Sequence, residues 1–264
     1  MKKVFFSAAM LLALAIVWAS CQKNTTNPSA QASDAGKLKT ADIGMWHNTA
    51  LDLLAQQQST LKVNSTGGSV QPTFNEVREK LIVSLVKENP EIFNEGEIRK
   101  SLKALDATKN AATIHAWGKM DGLDKLSSII ETLKDRNDIS QQLVNALEDI
   151  HKQTKSGVDV ETILVSVNKL TTTNFSEKDR KFADAFAVVY NSSYNYWSAS
   201  AKSANGLKIN KVAEPGPSGC NQVIIAADAA GALYGMITGP ISSVLEAAAF
   251  SFLASINPPC EPAS

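Results

Sequence analysis

From Val223 to Ile256 the chain is almost wholly apolar or small, and the run is broken only by the pair Gly239-Pro240 and by two acids, Asp228 and Glu246. Apolar surface on that scale has to be taken out of water, either inside protein or inside lipid. Gly239-Pro240 stops one helix and starts another, because proline is tolerated in a first helical turn. The block therefore reads as a helical hairpin. Its arms carry matching ridges of small residues at a spacing of four, Ala227, Gly231, Gly235 and Gly239 on the first and Ser243, Ala247, Ser251 and Ser255 on the second. Such ridges let two backbones approach closely.

Upstream, the apolar residues recur at helical spacing. A first amphipathic helix carries Ile43, Trp46, Ala50, Leu53 and Leu54, and residues 63–72 break it. Thr73-Phe74-Asn75-Glu76 then supplies a capping box after Pro72, followed by a stripe of Phe74, Val77, Leu81, Leu85 and Val86. Further helices are expected around Ile98, Leu102 and Leu105, around Leu126, Ile129, Ile130 and Leu133, and around Leu143, Leu147 and Ile150, the last ending near Gly157. Asp159 caps the next, with Ile163, Leu164, Val167 and Leu170 inward. Ser176-Glu177-Lys178-Asp179 opens the longest, which carries Phe182, Phe186, Val189, Tyr190 and Trp197. No strand alternation and no repeat of fixed period stands out, so the expected fold class is all-α, a multi-helix bundle with a C-terminal apolar hairpin.

The N-terminus has a different character. Met1-Lys2-Lys3 precedes an apolar stretch from Val4 to Ala19, too short to cross a bilayer comfortably, and Cys21 follows the small residues Ala19 and Ser20. Trp18-Ala19-Ser20-Cys21 resembles the lipobox of bacterial lipoproteins, with Trp18 departing from the usual aliphatic residue at its first position. The resemblance implies that residues 1–20 are a signal peptide and that Cys21 becomes the lipidated first residue of an envelope protein on the periplasmic face or the cell surface. Residues 21–40 read as a tether, which as a flexible coil reaches roughly 25 Å. A helical domain at 41–202, a linker at 203–219 and the hairpin at 220–264 complete the expected organisation.

Lipidation of Cys21 leaves Cys220 and Cys260 as an even pair at the open end of the hairpin, where a disulfide is expected. In the chain-entropy model a loop of that length is worth about 4 kcal/mol. The apolar block is also similar in composition and spacing to the glycine-zipper-like ends of some secreted bacteriocins and pore-forming toxins. That similarity implies an alternative in which the hairpin inserts into a membrane. Against it stand arms of only 16 or 17 residues and an acid in each, where mid-membrane placement costs about 2.5 to 3.5 kcal/mol.

Chemistry is sparse. The full chain has 26 basic and 26 acidic residues, and removing Lys2 and Lys3 with the signal leaves 24 against 26, or minus two. Nothing in that balance recruits nucleic acid. His47, His115 and His151 fall on separate segments, and Glu148-x-x-His151 lacks the second copy that a carboxylate-bridged metal bundle needs. Ser84-x-x-Lys87 and Ser166-x-x-Lys169 look like a penicillin-binding nucleophile motif but occur at chance frequency and without companion elements. No metal and no cofactor is expected, and no enzyme. Trp46, His47, Tyr194 and Trp197 are the densest aromatic and polar residues, candidates for a ligand groove or for interior anchors. The expectation is a lipid-anchored, non-enzymatic envelope protein acting by binding or structural association with an envelope protein or ligand.

Overall fold

Cap chemistry sets where the helices begin. In the computed structural model, which describes residues 38–61, 72–108, 113, 116–117, 120–200 and 219–256, Thr73 and Glu76 form the complete reciprocal box at the start of Phe74–Glu88. Asn94, Asp121, Ser140 and Asp159 each accept the backbone N–H three residues on, opening Glu95–Asp106, Gly122–Asp135, Gln141–Lys155 and Val160–Thr172. These caps satisfy donors that a first turn leaves orphaned. Ser176 accepts from the Asp179 N–H at the head of Glu177–Ser200.

In chain order the α-helices among the described residues are α1 (Ile43–Leu61, preceded by a 3-10 turn at Thr40–Asp42), α2 (Phe74–Glu88), α3 (Glu95–Asp106), α4 (Gly122–Asp135), α5 (Gln141–Lys155), α6 (Val160–Thr172), α7 (Glu177–Ser200), α8 (Gly219–Gly235) and α9 (Pro240–Ile256). The fold is all-α. The described residues contain no strand and fall within one compact unit.

Ends are read by backbone geometry. α5 stops at Gly157, whose φ of 70° allows the Val158 N–H to reach back to the Gln153 carbonyl. α4 stops in the same way without glycine: Asn137 takes φ 55°, and Asp138 donates to the Leu133 carbonyl. Gly239, φ 125°, lies in the turn between α8 and α9 immediately before Pro240.

The apolar hairpin occupies the middle. α8 and α9 pack on each other; α8 also lies against α4 and α7, and α9 against α1, α2 and α3. The surrounding helices follow one another as neighbours in the order α3, α2, α1, α7, α6, α5, α4. Every residue from Ile224 to Met236 and from Ser242 to Ser255 is buried. The shell helices bury single stripes, such as Leu143, Leu147 and Ile150 on α5 and Ile163, Val167 and Leu170 on α6. The hairpin is thus the core on which α1 to α5 and α7 lay their apolar faces, while α6 packs on α5 and α7.

Contact between the arms is made through backbone. A Cβ built on Gly231 would come within 2.5 to 2.6 Å of the Glu246 carbonyl and the Ala247 Cα, and one on Gly235 would meet the backbone of Ser242 and Ser243 still more closely. Ser243 donates its hydroxyl to the Ala232 carbonyl at 2.8 Å, a polar tie between the arms. Of the other ridge positions, Ala227 is buried with its backbone near Gly122 of α4, Ser255 bonds the Phe252 carbonyl on its own helix, and the Ser251 hydroxyl is buried without a hydrogen-bond partner. At the turn, the Ser101 and Ser242 hydroxyls share a hydrogen bond at 2.7 Å, Thr238 donates to Ser242 at 3.0 Å, and the Tyr234 hydroxyl donates to the Leu105 carbonyl, which fastens the tip to α3.

Candidate functional site

Asp228 and Glu246, the two acids that interrupt the apolar run, are both fully buried, and each is met by side chains from different shell helices. Oδ2 of Asp228 accepts hydrogen bonds from the Ser193 hydroxyl and from Trp197 Nε1 (3.2 Å), both on α7. His47 of α1 places Nε2 3.4 Å from the same oxygen. The imidazole is oriented from behind: its Nδ1 faces Asn48 Oδ1 at 2.9 Å, while the Asn48 amide donates to the Ser192 carbonyl. With the Asn48 oxygen turned to the ring, Nδ1 carries the proton, and Nε2 forms an ion pair with Asp228 only when it is protonated as well.

Lys125 of α4 is buried in the same region, its ammonium 4.4 Å from the centre of the Phe250 ring. Loss of water pushes this ammonium down to about 8, with Asp228 and Asp121 holding it back from a larger fall. A cation over a ring face gains some of what it has lost in hydration.

Glu246 on α9 meets Arg78 of α2, Nε to Oε1 at 3.0 Å. The same guanidinium gives Nη1 to both oxygens of Asp106 at 3.0 and 3.2 Å and lies over the Phe74 ring. Arg78 therefore links a buried carboxylate to a half-exposed one at the edge of the bundle. Burial raises Glu246 to about 7; Arg78 pulls it down and Asp106 pushes it up. Burial works against the charge on Arg78, but Glu246 and Asp106 outweigh it and the net direction is upward. Neither oxygen of Glu246 has a well-formed hydrogen bond, nor does Oδ1 of Asp228.

These groups neutralise charge inside the bundle. A nucleophilic relay sets an imidazole on the hydroxyl it is to deprotonate. Here the Ser193 hydroxyl and the His47 ring both address the carboxylate of Asp228.

Of the four aromatic and polar residues singled out from sequence, His47 and Trp197 come together at Asp228 in the interior. Trp46 is buried edge-on against Phe93, ring centres 5.0 Å apart, and Tyr194 reaches Glu161 at the protein edge. Ser84 bonds the Lys80 carbonyl and Gln57, and Ser166 bonds Gln153, so both hydroxyls are engaged away from Lys87 and Lys169. His151 is half-buried on α5, its imidazolium disfavoured first by burial and then by Lys155. No group of three or more His, Cys, Asp or Glu side chains among the described residues could hold a metal ion. Cys21, His115 and Cys260, and the side chain of Cys220, lie outside the described residues, and with them the expected lipid attachment and the expected disulfide.

An open groove of about 530 Å³ is lined by Thr40, Glu177, Lys178, Arg180, Lys181 and Asp184. Its charges are partly committed: Arg180 bonds the Leu170, Thr171 and Thr173 carbonyls at the end of α6, and Lys178 bonds the Asn137 carbonyl. No helix among the described residues is long and apolar enough to cross a membrane. No protein-family model, curated protein or solved structure matches the chain.

Proposed function

We propose that the chain is a lipid-anchored, non-enzymatic protein of the cell envelope, held at a membrane through Cys21 and acting by binding or structural association through the outer surface of its helical bundle. The observation that carries this reading is the inward use of the polar core. Ser193 and Trp197 are spent on Asp228, the His47 ring lies beside the same carboxylate, and Arg78 is divided between Glu246 and Asp106. What remains for a partner is the exposed faces of the shell helices, presented on a tether of roughly 25 Å. The partner would be another envelope protein or a ligand of the envelope.

The second reading, a membrane-inserting factor, is favoured by one feature: α8 and α9 are buried on every face, a pattern that suits lipid as well as protein. Two measurements separate the readings. Cys21→Ser should shift the chain from the membrane fraction to the soluble envelope fraction; unchanged fractionation would sink the lipid anchor. Purified wild-type protein should leave dye-loaded phospholipid vesicles intact. Dye release at protein-to-lipid ratios where an unrelated helical protein releases none would decide for insertion.

A further inference from the structure

The arms of the hairpin carry one ionisable side chain of consequence each, and both sit near the middle of the arm. Asp228 is the tenth of the 17 residues of α8, and Glu246 is the seventh of the 17 residues of α9. In a bilayer, the middle of a helix is where a carboxylate is most costly; near the ends it can reach the headgroups. In the folded bundle the same carboxylates are fully buried and engaged by His47, Ser193 and Trp197 in one case and by Arg78 in the other.

Stability alone gives no reason for acids at these positions. A buried ion pair seldom outperforms apolar side chains of similar volume, and these pairs are incompletely hydrogen-bonded. Leucine at either position would join an apolar neighbourhood already made of Ile225, Ala229, Leu245 and Ala249. Such a leucine would, however, turn each arm into an uninterrupted apolar segment while the chain is still unfolded next to a membrane.

We infer that Asp228 and Glu246 are a pair of exclusion keys: they bar the hairpin from the bilayer before folding, and they direct it into the bundle, where α7 and α2 carry the matching polar and charged groups and α1 sets the His47 ring beside Asp228. The biological setting of this device rests on the envelope reading, which fractionation of Cys21→Ser tests separately; the device itself is tested without export. The full chain is synthesised cell-free beside vesicles of phosphatidylethanolamine and phosphatidylglycerol. The vesicles are washed in urea and digested with protease, and the protected peptides are identified by mass spectrometry.

For the wild type, peptides from 219–256 should be lost. For Asp228→Leu combined with Glu246→Leu and Arg78→Met, which removes the guanidinium that would be orphaned, protection of those peptides should rise at least tenfold. Gly235→Leu is the control for misfolding, since it blocks the contact between the arms and keeps both acids; it should resemble the wild type. Equal loss of the hairpin peptides from wild type and triple variant would overturn the inference. So would protection in Gly235→Leu equal to that in the triple variant, because unfolding and not loss of charge would then govern insertion.

Discussion

The five shell helices α2 to α6 each begin on a side-chain cap and bury a single stripe, whereas α9 begins on a proline and buries every residue from Ser242 to Ser255. A shell helix is specified locally, by its cap and its spacing, and tolerates change on its wet side; Val83 and Val165 stand exposed there without consequence for the core. The hairpin has no wet side. Its position is set by long-range constraints, among them backbone contact at Gly231 and Gly235, the Asp228 cluster, the Arg78–Glu246 pair and the ties of the tip to α3. Stability at the centre is therefore sensitive to shape and to charge pairing, while at the periphery it is divided among small local contributions.

The severest challenge to that contrast is Gly235→Leu. Four extra carbons would have to enter where even a Cβ collides with the backbone of Ser242 and Ser243. The loss should reach about 3 kcal/mol or more, read as a lower urea midpoint or outright loss of the cooperative transition. A variant as stable as wild type would mean that the arms are not in backbone contact.

Next in size is Arg78→Met, which keeps the stem and removes the charge facing Glu246. Leaving one member of a buried pair alone costs about 3 to 5 kcal/mol. The loss should be smaller in acid, because Glu246 can then take up a proton. The direction follows from linkage: Glu246 is raised from 4.5 to about 7, so the folded state holds the proton more tightly than the unfolded chain. Its contribution is fully present below about 4.5, shrinks as pH rises, and is gone above about 7. Urea melts at pH 5.5 and pH 8 should show the greater penalty for Arg78→Met at pH 8, and Glu246→Gln should flatten the wild-type dependence across this window. A penalty independent of pH would mean that Glu246 does not change its protonation state across this window.

The smallest effect belongs to the shell. Thr73→Ala removes one half of the box at the head of α2 and should cost about 1 kcal/mol, visible as a modest shift of the urea midpoint with its slope unchanged. A loss as large as that of Gly235→Leu would show that the periphery is no more forgiving than the centre.

Legibility divides along the same line. The box at Thr73, the cap at Asp159 and the stop at Gly157 are contained within a few residues, so sequence displays them directly. The end of α4 at Asn137 is less visible, because asparagine takes a left-handed conformation only under local demand and glycine is the usual marker. Asp228 and Glu246 stand out as acids in an apolar run, and the ridge glycines by their spacing. Their basic partners do not. Arg78 lies four residues from Phe74 and from Ile82, and Lys125 lies four before Ile129, each on an apolar stripe. The usual reading of a cation there is a stem lying along the core with its head in water. Only tertiary packing shows that these heads are enclosed, and which acid each one faces.

Lys125 carries a consequence of its own. Its free amine is the form that attacks acylating reagents, and the fall of its ammonium to about 8 belongs to the closed, buried state alone. Yet its side chain is sealed between α4 and the Phe250 ring. Surface lysines register the reagent continuously, but this one registers it only during excursions that part the shell from the hairpin. Its acylation rate is a clock for how often the protein breathes.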